Sequence, residues 1–305
     1  MRTRLLTEYQ TEIAAKIIRN GSLVAIPTET VYGLGGDAFN PTAVAKIFEA
    51  KNRPSFDPLI VHIADFEQIY TVAENVPPLA QKLIEKCWAG PLTIILKKKK
   101  EIPDLVSAGL DTVGIRMPNN EITREIIRKS QTAIAAPSAN LFGHTSPTSA
   151  KAVLDDLDGR IDAVIDGGNC KVGLESTIIS FAKNTPVCYR YGGLDLEYIE
   201  SIIGKVERAG FHGEEDVAPG RSLRHYAPNT PLYLDKKESD FPEGTKIGYI
   251  NQDGDLYEIA KNLYSEIRNV DDKNCDVILA HLVEEKGIGM AINDRLRRAA
   301  TTQPT

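Results

Sequence analysis

The chain has 305 residues, 42% of them hydrophobic and 26% charged, enough for one large globular domain and a small one. A formal net charge of −6 excludes a global basic field that would draw it to nucleic acid or anionic lipid, so any polyanion site must be a local cluster. Cys87, Cys170, Cys188 and Cys275 form no CxxC pair, which argues against a zinc site or a disulfide framework, and no apolar run approaches the roughly 18 residues of a membrane span.

The opening MRTRLLTEYQ lacks the apolar core of a signal peptide, and a cytoplasmic location is expected. Residues 7–20 predict a helix, with Thr7 and Gln10 as a capping box and Gly21 as its stop. A short strand follows over 22–26, and then the loop PTETVYGLGG, residues 27–36. Its glycines at 33, 35 and 36 are expected to give positive φ and close approach to a ligand. They also fit a loose dinucleotide pattern, but TETVY intervenes and the next helix starts only at Pro41, so the Rossmann reading is rejected. Asn40 is a good N-cap for the helix that Pro41 opens.

KNRPSFDPLIVHI, residues 51–63, carries Lys51 and Arg53 into a strand over 59–63. Two helices are expected over 65–75 and 77–87, then strands at LTIIL and TVGIRM, a helix over 120–130 and the strand AIAAPSAN. Lys97 to Lys100 predict a solvated strand end. After the loop LFGHTSPTSA come a helix, strands at IDAVID, STIISF and VCYRY, and a helix to about 203. Alternating strands and helices indicate an α/β domain with a mixed sheet over 1–206. Residues 207–230 lose periodicity and predict an interdomain linker, in which Arg221, Arg224, His225 and Tyr226 cluster. Two further strands, an amphipathic helix, the strand DVILA and a final helix make a second, smaller α/β domain over 231–305.

Lys51 and Arg53 read either as ordinary charges at a helix end or as a phosphate clamp. Arg116 and Arg190 each lie among apolar strand neighbours, where an arginine is paired or faces a ligand. His62 suits a satisfied core histidine as well as a ligand, and His144 and His225 are weaker candidates in loops. Ser138, Asn140, Ser146, Ser176 and Thr177 sit where either turn residues or ligand donors would. Walker, GxSxG and HExxH motifs do not occur.

PTETVYGLGG, KNRPSFDPLIVHI, GIRMP, APSAN and ESTII, in this order, resemble the YrdC-like family. With RHYAP and GIGMAINDRLRRAA they resemble, more narrowly, the two-domain threonylcarbamoyl-AMP synthases over nearly the whole chain. The resemblance implies a twisted mixed sheet around a concave basic cavity, plus a small C-terminal Rossmann-like domain. It implies formation of threonylcarbamoyl-adenylate and pyrophosphate from L-threonine, bicarbonate or CO2, and ATP with Mg²⁺ held by its phosphates rather than by the protein. The product would feed the downstream proteins that complete N6-threonylcarbamoyladenosine in tRNA, with no direct tRNA binding required and no membrane involved. Threonine is implied near Thr30, His62, Arg116, Ser176 and the carbonyl of Ala136. ATP is implied near Lys51, Arg53, Asp57, Thr112, Ser138, Asn140, Ser146, Arg190 and Tyr226, with Lys51, Arg53 and Arg190 stabilising the departing pyrophosphate. An anionic Asp57 beside a triphosphate requires Mg²⁺ or an arginine between them. RSLRHYAP is expected to fold over the cavity mouth. The alternative from another class is an RNA-binding module using the same cavity, which the acidic net charge and lack of an RNP-like aromatic pattern disfavour.

Overall fold

In chain order the strands are β1 (Arg4–Thr7), β2 (Val24–Ile26), β3 (Gly33–Asp37), β4 (Ile60–His62), β5 (Leu92–Lys97), β6 (Thr112–Arg116), β7 (Ile134–Ala135), β8 (Ala163–Asp166), β9 (Thr177–Ser180), β10 (Val187–Arg190), β11 (Glu207–Arg208), β12 (Leu232–Leu234), β13 (Ile247–Tyr249) and β14 (Val277–Ala280). The helices are α1 (Thr11–Arg19), α2 (Pro41–Lys51), α3 (Ile69–Val72), α4 (Pro78–Cys87), α5 (Asp104–Ser107), α6 (Glu121–Ser130), α7 (Ala150–Leu157), α8 (Leu196–Ile203), α9 (Leu256–Asp271) and α10 (Gly289–Ala300). This computed structural model describes residues 2–55, 57–209, 218–219 and 225–300. Arg221 and Arg224 of the expected cluster, with the first half of RSLRHYAP, lie outside the described residues.

Among the described residues, β1 to β11 form one mixed sheet in the order β1-β8-β2-β3-β7-β4-β6-β5-β9-β10-β11, and β12-β14-β13 form a separate parallel sheet. Strand alternation gives the mixed sheet its main core on one face, and a second cluster with α1 and α6 covers the other face at the β1-β8-β2 end. Val61, Ile115, Ile94 and Ile179 point into the main hydrophobic cluster beneath helices such as α2 and α4. Residues of the opposite parity on the same strands are free to build a site.

Helix boundaries follow capping chemistry. The Asn40 side chain accepts from the Thr42 and Ala43 amides, and Pro41 at the first helical position needs no amide partner. Asn120, Ser149 and Asp255 cap α6, α7 and α9 in the same way.

Four local expectations are corrected. The predicted helix over 7–20 begins only at Thr11, because Arg4–Thr7 pair with β8 as an edge strand. The AIAAPSAN strand shrinks to Ile134–Ala135, since Pro137 has no amide for the ladder. Glu207–Arg208, given to the linker, pair parallel to β10. The glycine stretch 33–36 lies in β3, and none of Gly33, Gly35 and Gly36 has positive φ. Their purpose is close packing. A Cβ on Gly35 would stand 2.9 Å from Ile134 Cγ2 and 3.2 Å from the Val24 carbonyl. Gly35→Ala should therefore lose about 1–3 kcal/mol of stability through overpacking, read as a lower urea midpoint at constant slope.

The smaller sheet carries α9 and α10 around a second core, and Val31, Leu174 and Tyr226 join that core from the other part of the chain. The two parts are also tied by Arg268 to Asp156 at 2.9 Å and by the Tyr257 hydroxyl to Asp195 at 2.9 Å. No helix among the described residues is long and apolar enough to cross a membrane.

Candidate active site

One rung crosses five neighbouring strands on the face opposite the main core. His62 of β4 registers with Arg116 of β6, Arg116 with Thr93 of β5, Thr93 with Ile178 of β9, and Ile178 with Arg190 of β10. At about 4.8 Å per strand, His62 and Arg190 stand roughly 19 Å apart, with Arg116 one step from His62. The next rung, Ile60, Gly114, Ile95 and Ser180, supplies an apolar floor on which Gly114 adds no side chain. Two cations and an imidazole along one rung explain why polar residues interrupt these otherwise apolar strands.

A cavity opens over this face. Its lining includes Thr30, Arg53, His62, Arg116, Ala136, Ser138, Ser176, Arg190 and Tyr226. Nine expected site residues thus converge. Thr112 shares the face of Arg116 but lies four residues up the strand, roughly 13 Å away, and does not line the cavity.

Lys51, Asp57, Asn140 and Ser146 also stand back from it, each for a visible reason. Lys51 is fully buried at the end of α2, with its Nζ donating to the carbonyls of Ser138 at 2.6 Å and Asn140 at 2.5 Å. Burial and the neighbouring Arg53 charge push its pKa well below the ordinary lysine value. Lys51 therefore braces the APSAN loop. Asn140 uses its Nδ2 on the carbonyls of Leu141 and His144. Ser146 donates to Glu175 at 2.7 Å. Asp57 pairs with Arg53 at 2.9 Å, which places an arginine where an anionic residue at this position requires one. Arg53 further donates to the carbonyls of Asp57 and Pro58.

Arg116 Nη1 donates to Thr30 Oγ1 at 2.8 Å, and its Nη2 lies 2.7 Å from Glu29 Oε1. The Glu29 contact is an ion pair without hydrogen-bond alignment, so the Nε–Nη2 edge of the guanidinium makes no hydrogen bond. Thr28 Oγ1 caps the turn by accepting from the Thr30 and Val31 amides. Glu29 and Asp57 offset two of the three lining arginines, which tempers the expected basic character of the cavity.

Arg190, the last residue of the rung, reaches back to grip Ser176 twice, Nε to its carbonyl at 3.0 Å and Nη2 to its Oγ at 3.1 Å. Its Nη1 reaches the carbonyl of Pro219, while Ala218 is buried against Ile60, Ile95 and Ile178. Tyr226 has φ of 61°, stacks on Tyr264 at 5.6 Å and lies under the Arg295 guanidinium at 5.1 Å. Four participants escaped the sequence reading: Glu29, Glu175, Tyr264 and Arg295.

Burial and Arg116 lower His62 to about 3, and burial, outweighing Glu175, lowers His225 to about 3. Both rings are neutral in the folded protein. Below the ordinary value near 6.5 the unfolded chain takes up two protons that the folded chain refuses, so stability must fall as pH falls. Integrated from pH 7 to 5, the two histidines remove roughly 4 kcal/mol. Denaturant titrations at both pH values check this, and His62→Gln should remove about half of the loss. A pH-independent midpoint would mean that both rings titrate normally in the fold.

A family model described as "Telomere recombination" matches residues 16–192, and one described as "Threonylcarbamoyl-AMP synthase, C-terminal domain" matches 194–301. The threonylcarbamoyl-AMP synthase of Pyrococcus abyssi is 44% identical over 97% of this chain and 95% of its own length. This chain belongs to the threonylcarbamoyl-AMP synthase family. The Bacillus subtilis threonylcarbamoyl-AMP synthase is 40% identical over 94% of this chain and 92% of its own. The crystal structure of P. abyssi Sua5 complexed with L-threonine superposes with a TM-score of 0.92 at 42% identity, covering 98% of both chains. The family relationship thus spans the mixed sheet, the region between the two parts and the small parallel sheet alike.

Proposed function

We propose that this protein makes threonylcarbamoyl-adenylate and pyrophosphate from L-threonine, bicarbonate or CO2, and ATP. Residues 1–206, with β11 at the sheet edge, would form the catalytic unit, the rest of 207–230 the linker and 231–305 a unit docked behind the site. The observation that carries the reading is the single rung from His62 through Arg116 to Arg190 under one cavity. It offers the Arg116 guanidinium for a carboxylate and a second arginine, Arg190, whose backbone lies three strands further along, with Ser176 between them.

Threonine's carboxylate pairs with the Nε side of Arg116, whose Nη2 stays in its ion pair with Glu29. Its amine and hydroxyl meet neutral His62, Thr30, Ser176 and the Ala136 carbonyl, a set of donors and acceptors without a full negative charge. The neutral amine adds to CO2, losing a proton to give a carbamate. A carbamate oxygen then attacks the α-phosphorus of ATP and pyrophosphate leaves. No covalent enzyme intermediate is needed, and positioning and charge neutralisation do the work. Arg190 stabilises the departing phosphates, exchanging its Pro219 contact for them, and Arg53 assists. Ser138 and Tyr226 flank the nucleotide. Lys51, Asn140 and Ser146 act through the loops they hold, and Asp57 through Arg53. Mg²⁺ arrives on the ATP phosphates, because the nearby carboxylates Glu29, Asp57 and Glu175 already face arginines at 2.7 to 2.9 Å. When bound, the metal supplies charge neutralisation at the phosphates. The adenylate passes to the proteins that transfer the threonylcarbamoyl group to tRNA.

Incubation with ATP, Mg²⁺, bicarbonate and labelled L-threonine tests the proposal. The expected products are the labelled mixed anhydride and threonine-dependent pyrophosphate. Pyrophosphate release indifferent to threonine would sink it.

A further inference from the structure

Glu175 is a buried carboxylate on the cavity wall, one residue before the Ser176 that Arg190 grips. Left alone, it would do two harmful things at a nucleotide site. It would repel phosphate, and it would compete for Arg190, the nearest cation of the rung. The structure restrains it from three directions. Ser146 Oγ donates to Oε1 at 2.7 Å, while Tyr264 Oη at 2.9 Å and Arg295 Nε at 2.8 Å donate to Oε2. Tyr264 and Arg295 come from α9 and α10, behind the cavity.

Arg295 is itself built in. It is wholly buried, with Nη2 on the Tyr191 carbonyl at 2.9 Å, Nη1 on Asp294 at 2.6 Å, and its plane over the Tyr226 ring. Burial alone would push the Glu175 carboxyl up, but Arg295 and Arg190 outweigh it and hold it down at about 2, so it stays anionic. Its charge must be answered by one guanidinium or the other.

We propose that Arg295 is a positioning residue for the nucleotide half of the reaction: by satisfying Glu175 from behind, it keeps that carboxylate off Arg190 and leaves Arg190 free to meet phosphate. The inference rests on the ATP site proposed above. It makes the small C-terminal unit a part of the active site's electrostatics rather than a passive attachment.

Full-length Arg295→Met and the double variant Glu175→Gln/Arg295→Met test it through melting temperature and separate KM values for ATP and threonine. In Arg295→Met the freed carboxylate turns on Arg190, so the ATP KM should rise about tenfold or more while the threonine KM stays within about threefold. The double variant removes the offending charge and should return the ATP KM to within about threefold of wild type. A merely structural Arg295 gives a different pattern, with a lowered melting temperature, both KM values moving together and no rescue; that pattern overturns the proposal, as does an unchanged ATP KM. Should Arg295→Met fail to fold, the charge-neutral double variant is read directly, and a wild-type-like ATP KM supports the proposal while an ATP-specific rise of about tenfold refutes it. Wild-type protein that forms no mixed anhydride defeats the underlying reading; active wild type with an indifferent Arg295→Met defeats only this inference.

Discussion

Arg116→Ala should raise the threonine KM about a hundredfold or more and leave the ATP KM within about threefold, because truncating one partner of a buried charge pair forfeits roughly 2–5 kcal/mol. Two effects add. The substrate carboxylate loses the Nε side of the guanidinium, and Glu29, held 2.7 Å from Nη2 in the intact protein, is left as an unanswered buried anion facing another carboxylate. Adding Glu29→Gln to Arg116→Ala separates the two: the double variant should bind threonine better than the single one, yet still worse than wild type. The thermal midpoint should recover in the same double variant, since the unpaired charge is gone. Steady-state kinetics with either substrate varied decides the matter. An unchanged threonine KM removes Arg116 from the role assigned to it.

Glu29 also shows where the sequence was legible and where it was not. Arg116 and Arg190 could be singled out because an arginine among mainly apolar neighbours violates the strand pattern, and the violation marks the site-facing rung. Glu29 sits in PTETVYGLGG, a loop already polar, where one more acid breaks no pattern. Its importance comes from lying opposite Arg116 in space, 87 positions along the chain.

Arg295 is a different case. In GIGMAINDRLRRAA, positions 288, 291, 292, 295, 296 and 299 fall on one helical face, and the other five are apolar and buried. An arginine inside that stripe is as anomalous as Arg116 in its strand, so the signal existed, although the segment was read only as a final helix. Lys51 fails in the opposite sense. Spacing from Arg53 suggested a phosphate clamp, but spacing says nothing of the two carbonyls of the APSAN loop to which its Nζ donates. The strands of the mixed sheet were visible from alternation, whereas short edge pieces such as Arg4–Thr7 and Glu207–Arg208 were not, because pairing with a distant strand creates them rather than any local preference.

At the far end of the rung, Arg190→Ala should lower kcat by about 10²–10³, the loss expected when a preorganised donor to a charge-developing oxygen is removed. The effect should differ in kind from that at Arg116. Arg190 meets the ATP phosphates on binding and more strongly as pyrophosphate leaves, so the ATP KM should rise about tenfold while kcat falls, and kcat/KM for ATP falls by the product of the two. It also holds Ser176 through the carbonyl and Oγ, at 3.0 and 3.1 Å, which makes it the anchor of a residue at the threonine end. A moderate rise in threonine KM, well below that of Arg116→Ala, should therefore accompany the loss of turnover. Arg190→Lys separates charge from geometry. A lysine keeps one positive charge but cannot span both Ser176 atoms and still offer a third nitrogen to phosphate. If charge alone matters, Arg190→Lys restores most of the rate. If the forked geometry matters, as the three directed bonds of this guanidinium imply, the lysine variant stays within about tenfold of alanine. Pre-steady-state pyrophosphate release measures the chemical step free of product dissociation, and a wild-type burst rate in Arg190→Ala would exclude Arg190 from the reaction.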